Sequence, residues 1–300
     1  MKKGTLPFAD RNTDHFHHQH PAKGSVPFFL ALLLFALPVA ATAAYEGPIF
    51  DAHLHYNDEA LEPYPVGAVM ELFSKNGVKA ILANSRPNDG TRLLHEANRR
   101  SPRPGFSVVP FIRVYRDRSD YGTWFGKPEI HRMIVEEEKR GIYRGVGEFH
   151  LNGREADTPV VKDIVDFAVA KGLLLHCHCD VDALEILYRH NARARVIWAH
   201  TGFSTPLEKV GELLRKYPQL WGELSYRWDV VEGKTLQPEW KAFFTKHAER
   251  FVVGSDTWVN QRWQTYPEIM AYYRNWLGQL PADAASRIGW GNGARLFGLP

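Results

Sequence analysis

The chain has 300 residues, of which 44% are hydrophobic and 24% are charged, and its formal net charge is +3. These values are typical of a soluble globular protein and exclude a disordered, collagen-like or multi-span membrane chain. The small, evenly spread charge argues against nucleic-acid binding. Two cysteines cannot form a disulfide framework, so the positions of the 14 histidines carry most of the information.

The first 44 residues predict a secretory signal peptide. A polar, basic stretch is followed by the apolar run Phe28–Leu37 and then by the small residues Ala41-Thr42-Ala43, which match an A-x-A cleavage site. An uncleaved membrane anchor is the alternative, but the apolar run is short for a span and is followed by Pro38. We therefore expect cleavage and export to the periplasm or the medium, with no stable membrane insertion afterwards.

Residues 45–300 repeat one unit, which is a short apolar run followed by a polar turn and an amphipathic stretch. Such alternation predicts βαβ units and a parallel sheet. The predicted strands are Ile49–His55, Lys79–Ser85, Ser107–Tyr115, Arg144–Leu151, Leu173–Cys179, Arg195–Gly202, Leu220–Tyr226 and Arg250–Thr257. Eight units in about 250 residues predict one TIM-type (β/α)8 barrel, slightly elaborated at its C-terminus. A doubly wound open sheet is the rival, but no glycine-rich dinucleotide turn follows the first strand.

Side chains that can bind metals fall at the ends of five predicted strands. They are His53, His55, Glu148, His150, His176, His178, His200 and Asp256. Residues two apart on a strand share a face, so the pairs point into the barrel mouth, where barrel enzymes have their active sites. So many ionisable groups need a neutralising partner. Imidazole and carboxylate together predict a divalent metal, with zinc favoured and manganese, iron or cobalt as alternatives.

The order of these residues resembles the amidohydrolase superfamily of metal-dependent hydrolases, and most closely its amidohydrolase-related (amidohydrolase 2) branch. The C-terminal run Gly291–Phe297, GNGARLF, is similar to the GNARRLF-type ending of that branch. The run Gly145–Glu148, GVGE, resembles the TatD deoxyribonuclease branch, in which the glutamate bridges two metal ions. The resemblance covers Pro48 to Pro300.

The resemblance implies a role for each matching residue. It implies that His53 and His55 bind the more buried metal ion, that Glu148 bridges two ions, that His176 and His200 bind the second ion, and that Asp256 is a ligand that also accepts a proton from metal-bound water. Most superfamily members with two metal ions have a carbamylated lysine on the fourth strand instead of a glutamate. Strand 5 also offers two histidines where one is needed, so His178 and His150 stay open as ligands or substrate contacts.

The resemblance implies a hydrolase that uses metal-activated water on an amide, ester, lactone or phosphoester bond. Arg86, Arg113 and Arg227 follow the second, third and seventh strands, and arginines at one rim suit an anionic substrate, although each could instead be a salt-bridged surface residue. Cys177 and Cys179 alternate with the histidines. We therefore expect both to lie behind the strand, buried and reduced, because near neighbours rarely reach disulfide geometry.

Three other functions remain open. The first is a mononuclear metal-dependent decarboxylase, a carbon–carbon lyase of the amidohydrolase 2 branch. The second is a TatD-like nuclease, which the nearly neutral charge of the mature part disfavours. The third is a non-catalytic exported metal-binding protein. The expected partner is a small-molecule substrate rather than a nucleic acid, and homo-oligomerisation is left open.

Overall fold

The computed structural model describes residues 43–300. The predicted signal peptide therefore lies outside the described residues, except for Ala43 and Ala44. No helix within this described part of the chain has both the length and the apolar character needed to cross a membrane.

Eight parallel strands form one sheet in which each strand pairs with the next along the chain. The barrel strands are β1 (Ile49–His55), β2 (Val78–Asn84), β3 (Ser107–Ile112), β4 (Gly145–Leu151), β5 (Leu174–Cys179), β6 (Val196–Trp198), β7 (Leu220–Glu223) and β10 (Phe251–Val252). A parallel bridge between Asp51 and Val253 brings the last strand against the first, and the Ala52 amide donates to the Val253 carbonyl at 2.8 Å. The predicted (β/α)8 barrel is confirmed.

Helices cover the outside of the barrel. They are α1 (Asp58–Leu61), α2 (Val66–Lys75), α3 (Asp89–Arg100), α4 (Pro128–Glu138), α5 (Pro159–Lys171), α6 (Val181–His190), α7 (Leu207–Lys216), α8 (Pro238–His247), α9 (Asn260–Gln264), α10 (Tyr266–Leu277), α11 (Ala282–Ser286) and α12 (Asn292–Phe297). Proline in the first turn starts α4, α5, α8 and α10, where its missing N–H costs nothing. A hairpin of β8 (Val231–Glu232) and β9 (Thr235–Leu236) follows β7.

The C-terminal GNGARLF run closes the amino-terminal end of the barrel. The Asn292 side-chain amide donates to the carbonyls of Ala248 and Phe251 at 2.6 and 2.8 Å. Phe297 stacks on Phe50 with a centroid distance of 5.7 Å, inside the core that fills the barrel. A Cβ atom at Gly293 would lie 2.4 Å from Phe50, so only glycine allows this approach. The run therefore has a packing role far from the histidines.

A β-bulge at Glu148 sets the orientation of the side chains at the end of β4. Gly147 pairs with His176 and Phe149 with Cys177, so Glu148 has no partner residue on β5. Gly147 has φ +133°, and a Cβ atom there would lie 2.3 Å from the His176 carbonyl oxygen. Beyond the bulge, His150 and His178 are cross-strand neighbours, with rings 4.1 Å apart.

Cys177 and Cys179 lie buried on the helix side of β5, and they form a disulfide. The expectation that they stay reduced is therefore wrong. Residues two apart on a strand share a face, and the two Cα atoms are 5.5 Å apart, which is within the roughly 4.4–6.8 Å that disulfides usually span.

Candidate metal centre

Four buried side chains converge at the carboxyl end of the barrel, and we call them the four-ligand cluster: His53, His55, Glu148 and Asp256. His53 Nε2 lies 3.0 Å from His55 Nε2, 3.5 Å from Glu148 Oε1 and 3.4 Å from Asp256 Oδ1. His55 Nε2 lies 3.0 Å from Asp256 Oδ1 and 3.3 Å from Glu148 Oε2. Bonds of about 2.0–2.2 Å to one ion place its ligand atoms about this far apart.

The donor chemistry of the cluster fits a cation. Glu223 Oε2 lies 2.9 Å from His53 Nδ1, and this carboxylate can only accept, so the proton of a neutral His53 resides on Nδ1. Its Nε2 lone pair then faces the oxygens of two buried carboxylates, Glu148 and Asp256. Lone pairs and negative charges at such distances repel one another unless a metal ion or a proton lies between them.

A second group of atoms shares Glu148. Its Oε1 atom lies 3.1 Å from His178 Nδ1 and 3.6 Å from His200 Nε2, and these two nitrogens are 3.2 Å apart. The Ser225 carbonyl lies 2.9 Å from His200 Nδ1 and accepts its proton. The Nε2 lone pair of His200 therefore points at the group. Glu148, His178 and His200 therefore form a second group of possible metal ligands.

His176 lies deeper than His178, which contacts Glu148 and His200. The His176 ring is 4.4 Å from the His53 ring, and neither of its ring nitrogens has a hydrogen-bond partner among residues 43–300. His53, His176 and Glu223 form a further buried group that could hold a metal ion, so the role of His176 as a ligand stays a prediction. The bulge at Glu148 shifts the end of β4 relative to β5, and this brings Glu148 beside His178.

The charges of the cluster oppose the effect of burial. Burial alone lowers the pKa of His53, but the negative charges of Asp256, Glu148 and Glu223 hold that pKa well above its ordinary value. Burial raises the pKa of Glu148 and Asp256, but the nearby histidines, His53 first, bring both below their ordinary values. The carboxylates are therefore ionised and available as ligands.

Two buried carboxylates near the cluster were not predicted from the sequence as site residues. Glu223, at the end of β7, accepts from the His200 amide at 3.1 Å and from Ser225 Oγ at 2.8 Å, in addition to its contact with His53. Asp51 accepts from the Ser255 amide at 2.7 Å and from the Tyr266 hydroxyl at 2.8 Å. The available signal was an acidic residue in each of two barrel strands, IFDAHLH for β1 and LWGE for β7.

One of the three predicted arginines lines the cavity. Arg113 Nη2 lies 3.4 Å from Glu148 Oε2 and donates to the Tyr121 hydroxyl at 3.2 Å, and Nη1 contacts His55. Arg86 is buried and donates to Glu59 at 2.6 and 2.7 Å.

Arg227 is also held by other groups. Its guanidinium pairs with Asp229 at 2.8 Å, donates to the Thr201 carbonyl at 2.8 Å and packs over Trp240. Glu59 and Asp229 thus pair with Arg86 and Arg227, which is the salt-bridged alternative that the sequence had left open for each of these arginines.

A cavity of about 330 Å³ opens over the cluster. It is lined by Arg113, Tyr121, Glu148, His150, His178, His200, Phe203, Tyr226, Asp256 and Trp258. The lining combines titratable groups with aromatic rings, and Trp258 Nε1 donates to the Tyr226 hydroxyl at 3.0 Å. A cavity with an apolar wall and a few convergent polar groups suits a small organic substrate.

The barrel and the buried histidine–carboxylate cluster at the carboxyl ends of its strands define a barrel enzyme with a candidate metal centre. The family model described as Amidohydrolase matches residues 119–299, and the chain belongs to this family. The resemblance to the amidohydrolase superfamily is thereby confirmed, and the protein is an enzyme of that superfamily. Comparison of the sequence with curated proteins finds no match.

Solved structures of low sequence identity share the fold. An amidohydrolase from Burkholderia multivorans with bound zinc has 17% identity and a TM-score of 0.51, over 85% of this chain and 100% of that one. Amidohydrolase 2 from Bifidobacterium longum subsp. infantis has 13% identity and a TM-score of 0.50, over 85% and 100%. A TatD family hydrolase from Entamoeba histolytica has 8% identity and a TM-score of 0.55, over 83% and 98%.

Proposed function

We propose that the protein is a metal-dependent hydrolase that cleaves an amide, ester, lactone or phosphoester bond of a small anionic substrate. The observation that carries this proposal is the four-ligand cluster, in which the nitrogens of His53 and His55 lie 3.0 to 3.5 Å from each other and from the carboxylate oxygens. Two of its members, Glu148 and Asp256, line the cavity. Zinc is the ion that this ligand set favours, and the group of Glu148, His178 and His200 would hold a second ion. A divalent ion held by these residues would lower the pKa of a water molecule and polarise the bond to be cleaved.

The side chains of the cavity supply the remaining chemistry. Asp256 borders the cavity and is ionised, so it can orient a water molecule and accept its proton. Arg113 supplies positive charge at the cavity wall for an anionic group of the substrate. Phe203, Tyr226 and Trp258 form an apolar wall that would pack against the substrate body and exclude bulk water.

The test combines metal analysis with a substrate screen. The purified protein is analysed for bound metal and then assayed on amides, esters, lactones and phosphoesters before and after complete chelation. Asp256→Asn should lose activity by about 10²–10⁴-fold. The exposed pair Asp283–Arg287 offers Asp283→Asn as a matched control that should keep full activity. Activity that survives complete metal removal would refute the proposal, and one tight ion with release of CO₂ would indicate the lyase instead.

We also propose that the protein is exported through its N-terminal signal peptide. The Cys177–Cys179 disulfide supports this location, because disulfides persist mainly in oxidising compartments. Mass spectrometry of the N-terminus of the mature protein tests the cleavage site after Ala43. An intact N-terminus on a cytoplasmic protein would contradict the proposal.

A further inference from the structure

The hydroxyl of Tyr115 contacts two atoms of His150. The backbone N–H of His150 donates to the Tyr115 hydroxyl oxygen at 2.8 Å. The same hydroxyl lies 2.7 Å from Nδ1 of the His150 ring. Tyr115 is fully buried, and among residues 43–300 no acceptor other than His150 Nδ1 lies within hydrogen-bond distance of its hydroxyl.

These contacts determine which nitrogen of His150 carries the proton. The backbone amide can only donate, so it uses one lone pair of the hydroxyl oxygen. The hydroxyl hydrogen must then find an acceptor, because an unpaired donor is costly in a buried position. Nδ1 of His150 is that acceptor, so the proton of the neutral ring resides on Nε2.

The protonated nitrogen belongs to a ring that lines the cavity. His150 is half-buried there, and its Nε2 atom has no hydrogen-bond partner within the described part of the chain. The ring lies beside the His178 ring at 4.1 Å and close to Glu148. Among the contacts of its ring nitrogens within the described residues, the Tyr115 hydroxyl is the partner of His150, whereas His178 Nδ1 contacts a carboxylate and His200 Nδ1 contacts both the carbonyl and the hydroxyl of Ser225.

We propose that His150 is a catalytic hydrogen-bond donor: its Nε2–H, aimed by Tyr115, binds a substrate oxygen that gains negative charge in the reaction. Tyr115 acts through His150 and is a positioning residue. This role rests on the proposed function, and it directs the site toward substrates whose reacting group carries a carboxylate, carbonyl or phosphoryl oxygen. A preorganised neutral donor beside a low-dielectric cavity suits that task.

The competing role for His150 is that of a metal ligand, because its ring also lies near Glu148 and His178. The two roles need opposite protonation at Nε2. A ligand must present a lone pair there, whereas a donor must present a proton. The protonation of one nitrogen therefore separates them.

The first experiment uses NMR of protein labelled with ¹⁵N-histidine, with and without added zinc, and needs no substrate. His150→Gln assigns the His150 signals by their loss, and His190→Gln on α6, where His190 bonds the Ala156 carbonyl at 2.8 Å, is the matched control. We expect the Nε2–H form of His150 in both samples. An Nδ1–H ring, or an Nε2 that loses its proton when zinc is added, would overturn the proposal.

The second experiment measures binding of benzoate as a carboxylate probe to the zinc-loaded protein by calorimetry. His150→Ala should weaken benzoate binding by about 5–10-fold, and His150→Gln, whose side-chain amide still donates, should recover part of the loss. Zinc content should stay unchanged in both variants. Equal benzoate affinity of His150→Ala and wild type would refute the donor role. Because neither experiment requires turnover, and the zinc-free NMR sample requires no metal, failure of the hydrolase proposal leaves the protonation of His150 measurable.

A double-mutant cycle tests Tyr115 as a positioning residue. Tyr115→Phe should weaken benzoate binding in the wild-type background and have no further effect in His150→Ala. Tyr188→Phe is the matched control, since Tyr188 is buried and its hydroxyl has no partner among the described residues. Equal effects of Tyr115→Phe in both backgrounds would show a merely structural role and contradict the assignment. Once a substrate is found, His150→Ala should lower kcat by about 10²-fold or more.

Discussion

Glu223 offers the sharpest test of how the metal centre is held. Glu223→Gln keeps the size of the side chain but removes its charge. Oε2 accepts from His53 Nδ1, the His200 amide and Ser225 Oγ at 2.9, 3.1 and 2.8 Å, and Oε1 accepts from the Ser225 amide. A glutamine has one acceptor oxygen, so at least one of these donors would face its NH₂ group.

The magnitude follows from the lost contacts. A carboxylate that orients a ligating histidine typically contributes 10–100-fold to metal affinity, which is about 1.4–2.8 kcal/mol. The charge of Glu223 also raises the proton affinity, and hence the basicity, of His53. We therefore expect the zinc dissociation constant to rise about 10–100-fold in Glu223→Gln.

The assay is competition with a fluorescent zinc chelator at fixed pH. Glu137→Gln is the matched control. Glu137 lies on α4, outside the residues that line the cavity, and its carboxylate accepts from Arg92 at 3.0 Å and from the Tyr143 hydroxyl at 2.7 Å. It should lose stability and keep its zinc affinity. Equal zinc affinity of Glu223→Gln and wild type would refute the reasoning that Glu223 orients His53.

Three further predictions concern stability. Chelation should lower the melting temperature. Zinc at about 100 times its dissociation constant should add about 2.7 kcal/mol to the free energy of unfolding. A melting temperature that does not respond to zinc would argue against a metal site. Gly147→Ala should destabilise the fold and reduce zinc binding, whereas Gly126→Ala, which meets nothing within 4 Å, should be tolerated in thermal unfolding. Burial alone would raise the pKa of Glu59, but its side-chain contacts with Asp58 and Arg86 lower that pKa to about 2. The stabilisation of the fold by ionised Glu59 should therefore be full above the ordinary value near 4.5 and fade as pH falls toward 2. The melting-temperature difference between wild type and Glu59→Gln should therefore shrink over that range, and a constant difference would contradict the shift.

Most of the barrel could be predicted from local sequence, because β-branched and aromatic runs alternate with amphipathic stretches. The first strand has the predicted bounds Ile49–His55. The seventh and last strands are shorter than Leu220–Tyr226 and Arg250–Thr257, since they end at Glu223 and Val252. Beyond those ends the backbone leaves the extended conformation, with φ +54° at Tyr226 and +48° at Asp256. Hydrophobic pattern does not report such turns.

Within the candidate site, strand-end position predicted which residues gather, but not how they face one another. Alternation of side chains holds only while a strand stays regular, and the bulge at Glu148 changes the pairing of β4 with β5. Arg86 pairs with Glu59, which lies in α1 after the first strand. Arg227 pairs with Asp229, two residues further along the same loop. Sequence spacing carries no information about such pairs, so the sequence could not decide between an anion-binding role and a salt-bridged role for these two arginines.

Unusual backbone conformations concentrate around the cavity. The non-glycine residues with positive φ within residues 43–300 are His200, Thr201, Phe203, Tyr226 and Asp256. Each such conformation costs about 1–3 kcal/mol and persists only where surrounding contacts impose it. At Asp256 the contacts are visible, because its amide donates to the His53 carbonyl at 2.5 Å while its carboxylate faces the rings of His53 and His55. The same bonds that stabilise the strained turn therefore place the carboxylate in the four-ligand cluster, so the backbone conformation at Asp256 contributes directly to the geometry of the candidate metal centre.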